Sequence, residues 1–285
     1  MRRGPSSEVE AGTPREVHPM QRSRRLWGGA LLILSPALLA LLALAPRASS
    51  QVDPASRAVL YLQTQQQADG GIPASGGSFG PTELYALGGA VSGFGPSALR
   101  HGAGASVMQY LAKNVQSACR TEAGPCGELI QTVVAAGLQP TWFGGLNLVQ
   151  QLESLYHSGS GSSHGTYGDG QAFTQALAIQ GLVAAGTTVP SAAISFLHSA
   201  QDSDGGWDYL DRKDDPNPND FATSDTNSTA MVLMALDAAG DHSRDASALA
   251  WLHSQQDPDG GFPYQAGSGT DPDSTALVVQ AIVAT

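Results

Sequence analysis

Two acidic hexapeptides, Asp225-Thr226-Asn227-Ser228-Thr229-Ala230 and Asp271-Pro272-Asp273-Ser274-Thr275-Ala276, stand at the same place in two successive repeats of this sequence. Side-chain oxygens at the head of a helix accept hydrogen bonds from its free N–H groups, and a carboxylate there is favoured by the helix dipole. The spacing therefore predicts Ser228 and Ser274, with their neighbours Thr229 and Asp273, as N-caps. Repetition of the hexapeptide supports capping, since a catalytic acid is needed once. Gln131, Gln180 and Gln280 share one register of three repeats, where Leu87 and Met234 stand in the other two. Together with Asp225 they could ring a cavity and offer polar groups to a small molecule, or they could bond neighbouring helices to one another.

Asp202-Ser203-Asp204-Gly205 and Asp257-Pro258-Asp259-Gly260 present oxygens of the kind calcium takes outside cells, the first with Asp208, Asp211, Asp214 and Asp215 nearby. Neither completes the EF-hand spacing. Solvated turn acids are the simpler reading, so no metal or cofactor is expected. Cys119 and Cys126, the two cysteines of the chain, flank a Gly-Pro loop with six residues between them. They read as one local disulfide. Zinc would need further ligands, and only the distant His157 and His164 are on offer.

The elements that must position these groups repeat. Tyr61-Leu62-x-x-x-Gln66-x-x-Asp69-Gly70-Gly71-Ile72, Phe196-Leu197-x-x-x-Gln201-x-x-Asp204-Gly205-Gly206-Trp207 and Trp251-Leu252-x-x-x-Gln256-x-x-Asp259-Gly260-Gly261-Phe262 keep one spacing over twelve positions, and such self-similarity identifies a repeat architecture. Each copy ends an amphipathic helix, in the last case with Ala246, Leu249, Ala250 and Leu252 near one face. Asp-Gly-Gly is expected to stop the helix with left-handed residues. The glutamine should bond the last free carbonyls, and Trp207 or Phe262 should fold back onto the hairpin, so that the whole acts as a structural staple. A segment apolar almost all round recurs five times, three of them after a copy of this motif: Thr82–Gly93, Cys126–Gly137, Gln175–Gly186, Thr229–Gly240 and Thr275–Thr285. Polar helices outside and apolar ones inside predict two concentric rings of helices. The second and third repeats have helical patterns over Gly104–Cys119 and Asn147–Ser158 but lack the staple, and Ser158–Gly165 and Asp208–Asp225 read as loops.

Composition bounds the rest. The 285 residues are 41% hydrophobic and 14% charged, within the globular range. Seven of the 14 basic residues and three of the 25 acidic ones precede position 51, which leaves the body seven against 22 and a formal charge of −15. So acidic a surface repels phosphate backbones and excludes a nucleic-acid role. Leu26–Ala45 is uncharged, follows Arg22, Arg24 and Arg25, and precedes the small residues Ala48-Ser49-Ser50. It is expected to act as a secretory signal, or as an anchor if uncleaved. Residues 1–50 are thus an N-terminal extension and 51–285 the repeat domain, with the body secreted or tethered outside the cytoplasm and the membrane touched only through the N-terminal segment.

The aromatic-Leu-x-x-x-Gln-x-x-Asp-Gly-Gly-Trp pattern resembles the Gln-Trp repeat of squalene and hopene cyclases, and the same hairpin occurs in protein prenyltransferases and cobalamin carriers. Over residues 54–285 the resemblance implies an all-α fold, an α/α toroid of about five hairpins around a central cavity. Class II cyclases carry Asp-x-Asp-Asp-Thr-Ala at the head of an inner helix, and its middle aspartate protonates the substrate. By that resemblance Asp273 would be the acid and Asp271 its neighbour, but Ser274 stands where the family has its last aspartate. Neither cysteine sits in the Asp-x-Cys context of the prenyltransferase zinc site. The toroid hosts unrelated functions, and with no complete active site the expectation is a non-catalytic, exported protein binding a small molecule or a surface protein. An isoprenoid cyclase relative using Asp273 is the alternative. The related enzymes close their ring with more hairpins than the five counted here, so an open ring is expected, its last helix uncovered on one flank.

Overall fold

The computed structural model describes residues 53–75, 77–210 and 223–285. The signal-like run 26–45 and most of the acidic loop after Tyr209 lie outside these residues. Ten α-helices are described: α1 Pro54–Gln65, α2 Phe79–Val91, α3 Val107–Cys119, α4 Ala123–Ala135, α5 Leu148–Glu153, α6 Ala172–Ala184, α7 Ser191–Ala200, α8 Thr226–Ala238, α9 Asp245–Gln255 and α10 Pro272–Ala284. Among the described residues, extended pairing is confined to three isolated bridges.

The even-numbered helices form the inner layer. Each packs on the next, α2 on α4, α4 on α6, α6 on α8 and α8 on α10, while α3, α5, α7 and α9 lie outside against them. The tightest inner contact is explained by glycine. A Cβ on Gly127 of α4 would collide with the Leu177 carbonyl oxygen of α6, and one on Gly181 with the backbone of Gly127, so only hydrogen at both positions lets these backbones approach. Inner helices begin three residues before the expected segments, because Asp225 and Asp271 cap α8 and α10. On the outer helix α9 the buried stripe is Ala248, Trp251 and Leu252. Ala246 and Ala250 are exposed, one step round the helix from the face the sequence suggested.

The staple works differently from expectation. Each of the three glutamines is itself the C-cap in extended conformation, so the helix stops before the glycines are reached. Gly70, Gly205 and Gly260, all with φ between 91° and 101°, then turn the chain, and Asp69, Asp204 and Asp259 accept the N–H of the second glycine. The glutamine amides donate to the carbonyls of Gly70, Gly205 and Gly260 at 2.8 Å, clamping the turn rather than the helix end. Gln201 also donates to Ser247 Oγ on α9, which joins one hairpin to the next. Gln201 is buried and Gln256 exposed. Gln201→Ala should therefore destabilise by about 1–3 kcal/mol through the carbonyl left unpaired, and Gln256→Ala by less than about 0.5 kcal/mol, as read from urea unfolding midpoints. Equal losses in the two variants would rule out burial as the cause.

One aligned column ties each loop to its inner helix. Thr82, Thr229 and Thr275 accept the N–H of Ile72, Trp207 and Phe262 on their hydroxyls. In the third repeat Gln175 fills that position and accepts the Tyr167 N–H through Oε1. In the second it is Cys126, bonded to Cys119 at the end of α3, with Cα atoms 4.3 Å apart. Hydroxyl, amide and disulfide thus perform one task, and the repeats without a staple keep the tie by other chemistry.

The last helix buries only Ser274, Val278 and Ala281, whereas Val279, Ile282 and Val283 are exposed. Its packing is on α8, and no contact of α10 with α2 approaches that between successive inner helices. The ring of described helices is open on this side.

Candidate functional site

Inner helices that pack side by side direct one residue per helix toward the axis they share. Leu84 of α2, Glu128 of α4, Leu177 of α6, Met231 of α8 and Leu277 of α10 hold the same register, two residues after the tying column. All five line one cavity of about 390 Å³, together with Phe173, Asp273, Ala276 and Gln280. Its volume and largely apolar lining, with a few polar groups, are those of a small-molecule site. A second hollow of about 480 Å³ lies against the heads of α4 and α6 and shares Glu128, Phe173 and Leu177 with the first. Tyr209 lines this second hollow and packs on Phe173, ring centroids 6.0 Å apart.

Of the residues singled out in the sequence, Asp273 and Gln280 reach the cavity and the others do not. Asp273 is exposed, within the first turn of α10. Asp271 is the N-cap, accepting both the N–H and the hydroxyl of Ser274 at 2.8 Å, and those bonds hold its carboxyl below the usual carboxylate range. Asp225 likewise caps α8 by accepting the Ser228 N–H at 2.7 Å. Capping thus falls to the leading aspartates rather than to Ser228 and Ser274, because the carboxylate spans to the N–H three residues on. Asp225 lies away from the cavity. Burial raises its carboxyl to about 6, against the lowering effect of the Ser228 bonds. Gln180 donates to the Met231 carbonyl oxygen, joining α6 to α8, and Gln131 is half-buried outside the cavity. Gln280 donates to Ala276 on its own helix. The inter-helix reading of the glutamines holds for Gln180, and no ring of amides forms. Among the described residues no group of His, Cys, Asp and Glu is arranged to hold a metal ion, and no helix is long and apolar enough to cross a membrane.

Two carboxyls that sequence reasoning passed over dominate the site's electrostatics. Glu83 of α2 is 1% exposed, and its Oε1 has no hydrogen-bond partner. Burial, and next the proximity of Glu128, push it up to about 10. Glu128 is raised by burial to about 7. Glu83 aligns with Gly127, Ala176, Ala230 and Ala276 of the other inner helices, a register facing the neighbouring helix, as the Gly127 contact with Leu177 illustrates. The aligned sequence carries one signal of them, a carboxyl where the other repeats have alanine or glycine and a second where they have leucine or methionine, but it takes the packing of α2 on α4 to bring it out.

Residues 145–277, just under half of the chain, match the family described as the squalene-hopene cyclase C-terminal domain. No curated protein matches the chain significantly. The matched stretch runs from the start of the third outer helix into α10. It includes both hexapeptides, the Trp207 staple and the α6, α8 and α10 walls of the cavity, but neither Glu83 nor Glu128. The helical-hairpin fold and this match agree on a terpene cyclase-like α/α toroid.

Proposed function

We propose, from the kinship of residues 145–277 with squalene-hopene cyclase C-terminal domains, that this chain is an exported, non-catalytic toroid that binds an apolar small molecule between its inner helices. One observation carries the reading: the cavity receives an aligned side chain from all five inner helices, four of them leucine or methionine. Acid chemistry on an alkene needs an unusually strong acid held by its neighbours. Asp273 is exposed, and the serine beside it is engaged by Asp271 instead. Export is supported by the apolar run Leu26–Ala45 behind Arg22, Arg24 and Arg25 and by the joined cysteines, since disulfides persist in oxidising compartments and are rare in the cytosol.

The full chain, purified from its native compartment, should yield a co-purifying apolar molecule by mass spectrometry, carry no titratable thiol, and leave squalene unchanged. Cyclised product that disappears in Asp273→Asn would replace this reading with the cyclase one. That second reading is favoured by the place of Asp273 in the cavity wall. A chain recovered from the cytoplasm with two free thiols would remove the export arm.

A further inference from the structure

The two hollows meet at Glu128, Phe173 and Leu177, and no lysine, arginine or histidine lines either of them. Among the described residues Glu128 makes no hydrogen bond or ion pair. Behind it, in the seam between α2 and α4, lies Glu83, 1% exposed and with an unpartnered carboxyl oxygen. Two carboxyls set close together inside an apolar ring repel one another whenever both are charged, and a buried charge without a partner is costly. Packing does not call for them, since alanine or glycine, and leucine or methionine, serve at the same registers of the other repeats. A positive charge at the junction would relieve both groups at once. Phe173 and Tyr209, packed on one another at that junction, add aromatic faces of the kind that attract organic cations.

We propose that this junction is a binding site for an organic ammonium head group carried on an apolar chain. Glu128 is its counter-ion, and the chain lies among Leu84, Leu177, Met231 and Leu277. The inference rests on the apolar-ligand reading above and adds the charge and chemical class of the head group. An inorganic divalent cation is disfavoured. Glu122 and Asp169 also line the second hollow and Asp273 the first, but among the described residues these carboxyls do not gather with Glu128 into a group that could hold a metal ion, and an isolated carboxylate supplies too few oxygens for calcium. A sulfonate or carboxylate head would meet like charge.

The test compares ligands of one chain length on the full protein, below their micelle-forming concentrations: octylamine, octyltrimethylammonium, 1-octanol and octanesulfonate, measured by displacement of a fluorescent apolar probe. Both ammonium compounds should bind at least about tenfold more tightly than octanol, a ratio ordinary for one desolvated charge contact, with the sulfonate weakest. Glu128→Gln should bring the ammonium compounds to the octanol value and leave octanol unchanged. Should glutamine disturb folding, Glu128→Leu, which places the residue of α6 and α10 on α4, serves in its place. If octanol binds as tightly as the amines, or if the preference survives in both variants, the head-group inference is overturned while the apolar cavity stands. If none of the four displaces the probe, both fall. Displacement of octylamine by millimolar calcium, lost in Glu128→Gln, would make the junction a metal site and would also overturn the proposal.

Discussion

Trp207→Ala is expected to lower the unfolding free energy by about 3–5 kcal/mol, the range for emptying a large aromatic side chain from a core. Trp207 is fully buried and among the largest such side chains in the protein. It is also held at two polar points. Its backbone N–H donates to Thr229 Oγ1 at 3.0 Å, and its indole Nε1 donates to the Leu197 carbonyl oxygen at 2.7 Å. One residue therefore fastens the loop after α7 to both the outer helix it leaves and the inner helix it enters. Trp207→Phe separates the two contributions. It keeps most of the apolar volume but leaves the Leu197 carbonyl without its donor, at about 1–3 kcal/mol. Urea unfolding followed by circular dichroism gives both values. A loss below about 1 kcal/mol in the alanine variant would mean that the staple is not part of the cooperative core.

That residue also shows what was legible in the sequence. Gln-x-x-Asp-Gly-Gly could be read because its positions make backbone-specific demands: a positive φ at Gly70, Gly205 and Gly260, and a short carboxylate two residues before the N–H it accepts. Such demands leave little choice of residue, so the motif survives as letters. The tie at Thr82, Cys126, Gln175, Thr229 and Thr275 asks only for a bond. Five positions meet it with three chemistries, and no common letter marks it. Which of two polar residues three apart caps a helix was equally hidden, since Asp271 and Ser274 both suit an N-cap by type and only the backbone path into α10 decides. Gln131, Gln180 and Gln280 were aligned correctly, but a shared register does not make a shared environment when α10 has a neighbour on one side only.

The site was less legible than the fold for a related reason. A repeat directs attention to what recurs, and Glu83 and Glu128 are what does not recur. Each interrupts a column that is otherwise small or apolar, and they become conspicuous only once α2 and α4 are known to pack side by side. Asp273 was found because it sits in a recurring hexapeptide, the context in which capping explains an acid most simply.

Glu83 should leave its mark on stability as a function of pH. An isolated glutamate titrates near 4.5, whereas the folded protein holds Glu83 protonated up to about 10, through burial first and the proximity of Glu128 second. A carboxyl whose folded value is raised contributes stability that is fully present below its unfolded value. That contribution is lost as pH rises toward the folded one, because the native state then holds a proton the unfolded chain has released. With one such proton the loss is about 1.36 kcal/mol per pH unit, or about 4 kcal/mol between pH 5 and pH 8. Glu128, raised to about 7 by burial, adds a smaller loss of the same sign confined to the lower part of this window. Its own shift does not arise from Glu83, so it persists in a Glu83 variant. Glu83→Gln, similar in shape and without a titrating proton, should therefore flatten most of the slope and leave the Glu128 part. Unfolding free energies from urea titrations at half-unit steps between pH 5 and pH 8 would show the native and variant lines diverging as pH rises, the variant gaining on the native protein throughout. Parallel lines would mean that Glu83 ionises in the folded protein at an ordinary pH, and that the seam between α2 and α4 admits water or a cation to solvate it.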